Sequence, residues 1–498
     1  MKSLGVGTLL ALLTGALTVA GFAPFGLWPA PILSLTVLML LWRRAPSPWA
    51  CARLGFWWGL GCFLAGVNWL DISLHDYGGM PQAAAIPGIV GLCALLAAFP
   101  AAVGWGAARF FGGRPKARWL IAVPALWTLA EWVRSWFLTG FPWLSLGYAQ
   151  TPHGPFAGVA PVLGVFGVTA ASVLLSGLLA ALATARRDDH ALGPLAGAVL
   201  LLVGAGLGLG RVAWTHPVGV PLSVNLLQGN VPQDQKFQRD ETPLIVQRYL
   251  NLLKGSPGHL ILMPESALPY VREMLPESIA DTFERYGYDH DADLLVGLFS
   301  EPARGQYYNS VVSFGHSPSQ TYQKVHLVPF GEFIPLEGLL KPLLHALLTI
   351  PIDSQQHGSP DQPPLRVAGQ YVGVDICYED AFGDEILHAL PQATVLANFT
   401  NDGWFGDSIG PEQHLQMAQT RALETGRSLL RVTNTGVTAI IDPRGRLLVR
   451  APRGEVFNLS GMVQGYAGRT PFVVLGNYGI LALCLLALVL SIPLNRRP

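Results

Sequence analysis

The chain has 498 residues, 51% hydrophobic and only 13% charged, and its 32 basic and 32 acidic residues cancel to a formal net charge of zero. Soluble chains carry about 25% charged residues, so a protein surrounded by water along its whole length is excluded. Balanced charge with no basic stripe also argues against nucleic acid as a partner.

In chain order, apolar runs cover residues 4–22, 27–42, 50–70, 83–111, 119–137, 157–183 and 192–214. Each approaches the roughly 20 residues with which an α-helix crosses a bilayer. No comparable run occurs between Thr215 and Pro471, and an eighth covers 473–492. These runs predict a membrane domain of seven transmembrane helices over 1–214, a soluble domain over 215–471, and a last transmembrane helix with its tail over 472–498. Lys2, Arg43 and Arg44, then Arg109, Arg114, Lys116 and Arg118, then Arg186 and Arg187, then Arg496 and Arg497 fall at every second junction. The alternate loops, near Ala23, over 71–82 and over 139–156, contain neither Lys nor Arg, and Arg211 is the exception. Basic residues beside spans stay cytoplasmic, which predicts both termini in the cytoplasm and the soluble domain on the opposite side. Lys2 ahead of a short apolar core also fits a signal peptide, and the downstream topology is the same either way.

Within the membrane half, Gly204, Gly206, Gly208 and Gly210 imitate a dinucleotide fingerprint. They lack the βαβ context, so close helix contact is the expected role. Glu131 and Arg134 are three residues apart and would share a helix face, where mutual neutralisation is the default and contact with a lipid headgroup the sharper alternative. Cys51, Cys62, Cys93 and Cys484 lie in or beside apolar runs and are expected to pack.

In the soluble stretch, strands are expected over 222–228, 259–263, 293–299, 310–314, 321–326, 371–376, 393–399 and 429–434, with helices over 242–253 and 413–426. Continuous apolar runs such as Leu260-Ile261-Leu262-Met263 indicate strands covered on both faces, as in layered α/β architectures. Cys377 is the lone cysteine of this stretch and sits where a strand pattern gives way to charge. A lone thiol is more often a small buried hydrophobe than a nucleophile. Glu265 follows one predicted strand and Lys324 lies in another. Together a thiol, a base to deprotonate it and a cation to hold an oxyanion form a nucleophilic acyl-transfer set without histidine or metal. No His, Cys or carboxylate group has zinc-ligand spacing, so neither metal nor cofactor is expected.

Met263-Pro264-Glu265, Lys324 continuing into Leu327-Val328-Pro329-Phe330-Gly331-Glu332-Phe333, and Asp375-Ile376-Cys377-Tyr378-Glu379 resemble the three signatures of the nitrilase superfamily. That resemblance implies an α-β-β-α sandwich. With the membrane spans, Gln228-Gly229-Asn230-Val231-Pro232-Gln233 and Asn401-Asp402-Gly403-Trp404-Phe405-Gly406-Asp407, the whole chain resembles the bacterial apolipoprotein N-acyltransferase family. Phe237 departs from the tryptophan of many members.

The resemblance implies Glu265 as general base, Cys377 as nucleophile and Lys324 as oxyanion stabiliser. It implies Glu332 as a supporting acid, the Tyr378 amide as a further oxyanion donor and Glu379 as a residue ordering that loop. Phe237, Trp404 and Phe405 are candidates for contact with acyl chains, although a packed loop is nearly as good an account of Trp404 and Phe405. His326 receives no role. The implied partners are a phospholipid acyl donor, a diacylglyceryl-modified apolipoprotein acceptor and the bilayer itself. The implied location is the bacterial inner membrane, with the catalytic domain in the periplasm. A membrane-tethered amidase, with water resolving the acyl-enzyme, is the alternative enzyme. A transporter carrying a large extracytoplasmic domain is the alternative from another class.

Overall fold

The computed structural model describes residues 2–112, 118–185, 190–335, 338 and 355–494. Arg114, Lys116, Arg186, Arg187, Arg496 and Arg497, used above for orientation, lie outside the described residues. Two compact units emerge: one takes in the chain up to Asp71, Ala83–Ala213 and the part from Val474 on, the other Ile72–Gln82 and Trp214–Val473.

In the first unit each of the eight apolar runs is helical. Its helices include Lys2–Leu17, Pro29–Arg44, Pro48–Gly66, Gln82–Phe111, Val123–Arg134, Ala160–Leu182, Leu192–Leu209 and Tyr478–Leu494. Among the described residues, three stretches are long and apolar enough to cross a membrane: Gln82–Phe111, Ala157–Leu182 and Leu192–Leu209. Helix starts follow local chemistry. Ser47 accepts the Ala50 N–H at 3.2 Å and Pro48 occupies the first turn, where a missing N–H costs nothing. Of the glycines expected at helix contacts, Gly206 leaves no room for a Cβ, which would lie 2.4 Å from the Pro155 carbonyl oxygen, whereas Gly204 and Gly208 meet open space. Buried Glu131 accepts from Trp127 Nε1 at 3.0 Å, Leu146 N at 3.0 Å and Thr169 Oγ1 at 2.7 Å. Arg134 donates to the carbonyls of Phe141 and Trp143 and to Ser145 Oγ. Both charges therefore staple the 141–146 segment to their helix, beyond any neutralisation of one by the other.

The second unit contains two six-stranded sheets. The first has β1 (Thr215–Gln228), β2 (Leu260–Met263), β3 (Asp293–Ser300), β4 (Tyr308–Gly315), β5 (Thr321–Gln323) and β12 (Phe457–Gly468), ordered β12-β1-β2-β3-β4-β5. The second has β6 (Leu365–Val367), β7 (Gln370–Ile376), β8 (Val395–Thr400), β9 (Ser428–Thr433), β10 (Ala439–Ile441) and β11 (Leu447–Arg450), ordered β6-β7-β8-β9-β10-β11. Both sheets repeat one pairing sequence: antiparallel, parallel, parallel, antiparallel, antiparallel.

Side chains alternate across a strand, so the continuous apolar runs feed two cores at once. Leu226, Leu260, Leu262 and Leu295 meet Val374, Ile376, Ala397, Phe399 and Val432 between the sheets. Their neighbours Leu227, Ile261, Met263 and Leu294 face the other way, against the helices Thr242–Lys254 and Glu277–His290. Leu396 and Leu429 do the same against the helix Gly410–Thr425. The result is the four-layer α-β-β-α sandwich of a nitrilase-like fold. The expected strand over 321–326 stops at Gln323, so Lys324 and His326 do not share a strand face.

Candidate active site

In both sheets the parallel strands release polar residues at their carboxyl ends, the edge where open α/β sheets bind ligands. Glu265 lies two residues past β2, Cys377 immediately past β7, and Asn401 and Asp402 immediately past β8. Glycine makes the first placement possible. A Cβ on Gly297 in β3 would sit 2.1 Å from the Pro264 carbonyl oxygen, so the chain leading into Glu265 crosses β3 only where a side chain is missing. Lys324, one residue beyond β5, still pairs with β4 through its backbone N–H to Asn309 O at 2.8 Å.

Lys324 is fully buried, and its Nζ reaches Glu332 Oε1 at 2.7 Å and Glu265 Oε1 at 3.4 Å. Asn309 Nδ2 bridges the same carboxylates at 2.7 Å from Glu265 Oε1 and 3.3 Å from Glu332 Oε1. The other oxygen of Glu265 accepts the Asn401 N–H at 2.9 Å, and that of Glu332 accepts the Val328 N–H at 2.7 Å. Burial alone would lower the pKa of Lys324, but Glu332 and Glu265 reverse that and hold its ammonium charged well above the usual range.

Cys377 is half-buried and has φ +54°, a left-handed conformation that costs a non-glycine residue of order 1–3 kcal/mol and commonly marks functional sites. Burial pushes its thiol pKa well up and the Glu265 carboxylate pushes it further, while Lys324 and a hydrogen bond with Thr400 pull it down. The resting sulfur is thus protonated, and Glu265 is the acid whose charge it feels most.

The supporting residues fall around this cluster. Tyr378 is buried in the turn Cys377–Ala381, its ring edge-on to Phe382 with centroids 5.0 Å apart. Glu379 accepts the Val325 and His326 N–H groups on one oxygen, and the Ile376 N–H and Tyr322 hydroxyl on the other. It thereby ties the Cys377–Ala381 turn to the segment carrying Lys324. Burial pushes Glu379 up to about 7, against the pull of Lys324 and of those backbone donors. Phe237 is 55% exposed, with its ring 6.1 Å from that of Phe299. Trp404 and Phe405 belong to the turn Asp402–Phe405. The Trp404 carbonyl accepts from Ser73 Oγ at 2.8 Å, its ring meets Tyr77 edge-on at 6.1 Å, and the Phe405 ring meets His414 at 5.9 Å. Both Trp404 and Phe405 nonetheless remain half-exposed. His326 pairs with Glu385 Oε1 at 2.7 Å and stacks on Phe382 at 3.7 Å.

Residues 14–178 match the family described as the apolipoprotein N-acyltransferase N-terminal domain, and residues 225–458 match the carbon-nitrogen hydrolase family. An apolipoprotein N-acyltransferase of Nitrosomonas europaea is 46% identical over 478 residues, covering 95% of each chain. One of Methylococcus capsulatus is 43% identical, covering 96% of this chain and 94% of its own, and one of Ralstonia nicotianae is 42% identical, covering 98% and 93%. The chain belongs to the apolipoprotein N-acyltransferase family. As a member it is a membrane protein and an acyltransferase of lipoprotein maturation, carrying a carbon-nitrogen hydrolase domain.

Around the thiol of this family member lie residues that sequence reasoning passed over. Lys236 is 2% exposed and donates to the Glu265 carbonyl at 2.9 Å. Burial lowers its pKa to about 8, against the pull of Glu265 and Cys377. Behind Cys377, His414, Arg431, Asp380 and Asp402 form a closed set of buried charges. One signal was available: Arg431 stands in the strand Ser428–Thr433, every residue of which is buried. A lone cation in such a strand requires acids to meet it.

Proposed function

We propose that this acyltransferase moves an acyl chain from a phospholipid, through a thioester on Cys377, to the α-amino group of the N-terminal diacylglyceryl-cysteine of apolipoproteins. Glu265 takes the thiol proton as sulfur attacks the ester carbonyl, and the tetrahedral oxyanion rests on the Lys324 ammonium and the Tyr378 amide. The C–O bond breaks, Glu265 returns the proton to the departing alkoxide, and a lysophospholipid leaves. The acceptor amine then attacks the thioester, Glu265 takes its proton, and the sulfur departs to be reprotonated. Glu332 keeps Lys324 in place, Glu379 orders the nucleophile turn, and Phe237, Trp404 and Phe405 meet acyl chains.

One observation carries the reading: Glu265 and Lys324, joined with Glu332 in a single buried hydrogen-bonded cluster, are the two charges that bear most on the Cys377 thiol. The same proposal has eight spans, with a membrane domain over 1–214, a catalytic domain over 215–471 and a final span with its tail over 472–498. The protein then sits in the inner membrane with both termini cytoplasmic and the catalytic domain periplasmic. A helix on every apolar run and the alternation of basic loops with loops lacking Lys and Arg support this topology. Intact-protein mass spectrometry after incubation with a defined phospholipid tests the chemistry. The expected result is an acyl-sized, hydroxylamine-labile adduct, absent from Cys377→Ala, that discharges onto a diacylglyceryl-peptide with a free amine. An adduct cleared by water while the peptide stays unmodified would replace the transferase with a hydrolase.

A further inference from the structure

His414 stands on the helix Gly410–Thr425, 1% exposed, with both ring nitrogens facing oxygens. Nδ1 lies 2.7 Å from Asp402 Oδ1, and Nε2 lies 2.9 Å from Asp380 Oδ1 and 3.1 Å from the backbone carbonyl of Cys377. Two carboxylates and a carbonyl offer the ring only acceptors, so both nitrogens carry protons. Arg431 closes the figure, with Nη1 2.9 Å from Asp380 Oδ2 and Nη2 3.1 Å from Asp402 Oδ2. Two cations and two anions, all buried, therefore balance one another. Asp380 belongs to the nucleophile turn and Asp402 to the turn bearing Trp404 and Phe405.

The contact with the Cys377 carbonyl has a consequence at the next atom pair. In a trans peptide the C=O and the following N–H point in opposite directions. The Cys377 carbonyl is turned toward His414, with Asn398 Nδ2 a further donor at 3.4 Å. The Tyr378 N–H is thereby directed away from the charge set.

We propose that His414 is a positioning residue of the acyl transfer: by holding the Cys377 carbonyl, its imidazolium aims the Tyr378 amide at the oxyanion. This rests on the reading of Cys377 as nucleophile. Asp380, Asp402 and Arg431 keep the imidazolium charged and in register.

The full chain in detergent micelles gives the test, with two rates measured on Cys377. One is the appearance of the acyl-enzyme from phosphatidylethanolamine, followed by quenched intact-mass spectrometry. The other is alkylation by iodoacetamide, which needs the thiolate but develops no oxyanion. His414→Ala is expected to slow acylation by about 10²–10³-fold, the usual loss for one oxyanion donor, and alkylation by no more than about tenfold. His414→Gln, whose amide N–H reaches toward the same carbonyl, recovers part of the acylation rate, and His414→Asn, one methylene shorter, recovers less. If the alanine variant does not fold, the Gln against Asn difference decides. Acylation and alkylation falling in parallel, or acylation at the wild-type rate, overturns the proposal. No adduct on the wild-type chain would instead remove the nucleophile reading itself.

Discussion

Glu265→Gln separates two consequences of one carboxylate that run in opposite directions. The native group accepts three hydrogen bonds on two oxygens: Asn309 Nδ2 at 2.7 Å and Lys324 Nζ at 3.4 Å on Oε1, and Asn401 N at 2.9 Å on Oε2. Glutamine has one acceptor oxygen. If that oxygen serves Asn309 and Lys324, its NH₂ confronts the Asn401 N–H, and an unmet buried donor costs about 1–3 kcal/mol of stability. Loss of the base should slow acyl-enzyme formation about 10²–10⁴-fold, roughly 3–5 kcal/mol of barrier. The thiol itself should become more acidic. After burial, Glu265 is the main influence raising the Cys377 pKa, so neutralising it moves the pH profile of iodoacetamide alkylation to lower pH. Stopped alkylation assays from pH 6 to pH 10, run beside the acylation assay, read both. A Glu265→Gln chain whose alkylation profile moves upward, or whose two rates decline together, would refute the assignment of Glu265 as a base whose charge bears directly on the sulfur.

Lys324→Met should shift the alkylation profile the other way, to higher pH, because Lys324 pulls the Cys377 pKa down. It also strips the shared cation from Glu265 and Glu332, so urea unfolding should show a loss of about 3–5 kcal/mol. His414 supplies a pH dependence of stability: burial lowers its pKa, but Asp380 and Asp402 outweigh this and raise it from 6.5 to about 9. A raised folded-state pKa makes this contribution complete below about pH 6.5 and loses it as pH climbs through about 9. Thermal unfolding between pH 6 and pH 10 should record that decline, and His414→Asn should flatten it. Phe237→Ala removes a ring that is 55% exposed, so stability should change by no more than about 0.5 kcal/mol. If the ring covers an acyl chain, worth about 1.5 kcal/mol or more, KM for phospholipid should rise about tenfold in a micellar titration.

What was legible in the sequence follows what burial writes into it. The eight apolar runs appear as helices because nearly all their side chains are apolar, and β2, β3, β8 and β9 appear because both faces of each are covered. β12 escaped notice. It is an edge strand, half wet, and its Asn458 and Ser460 serve polar contacts with Asn225 where an apolar alternation would have announced a strand. The strand expected over 321–326 ran too far because alternation continues past Gln323, where pairing with β4 stops being regular. Glu265, Lys324 and Cys377 stood out because their flanks carry recognisable motifs. His414, Arg431 and Asp380 did not, because their pairing depends on strands β7, β8 and β9 lying side by side, a fact of topology and not of spacing.

The repeated pairing order of the two sheets puts β2 and β8 in equivalent places, and each is followed two residues later by an acid, Glu265 in one case and Asp402 in the other. One thiol is therefore offered two carboxylates by the same strand grammar. Asp402 is spoken for: despite its burial, the Arg431 and His414 cations hold it below the usual carboxylate range. Glu265 instead shares the Lys324 cation with Glu332. In the proposed acyl transfer these twin positions become one proton carrier and one anchor, so that a single base serves both the arrival and the departure of the acyl chain.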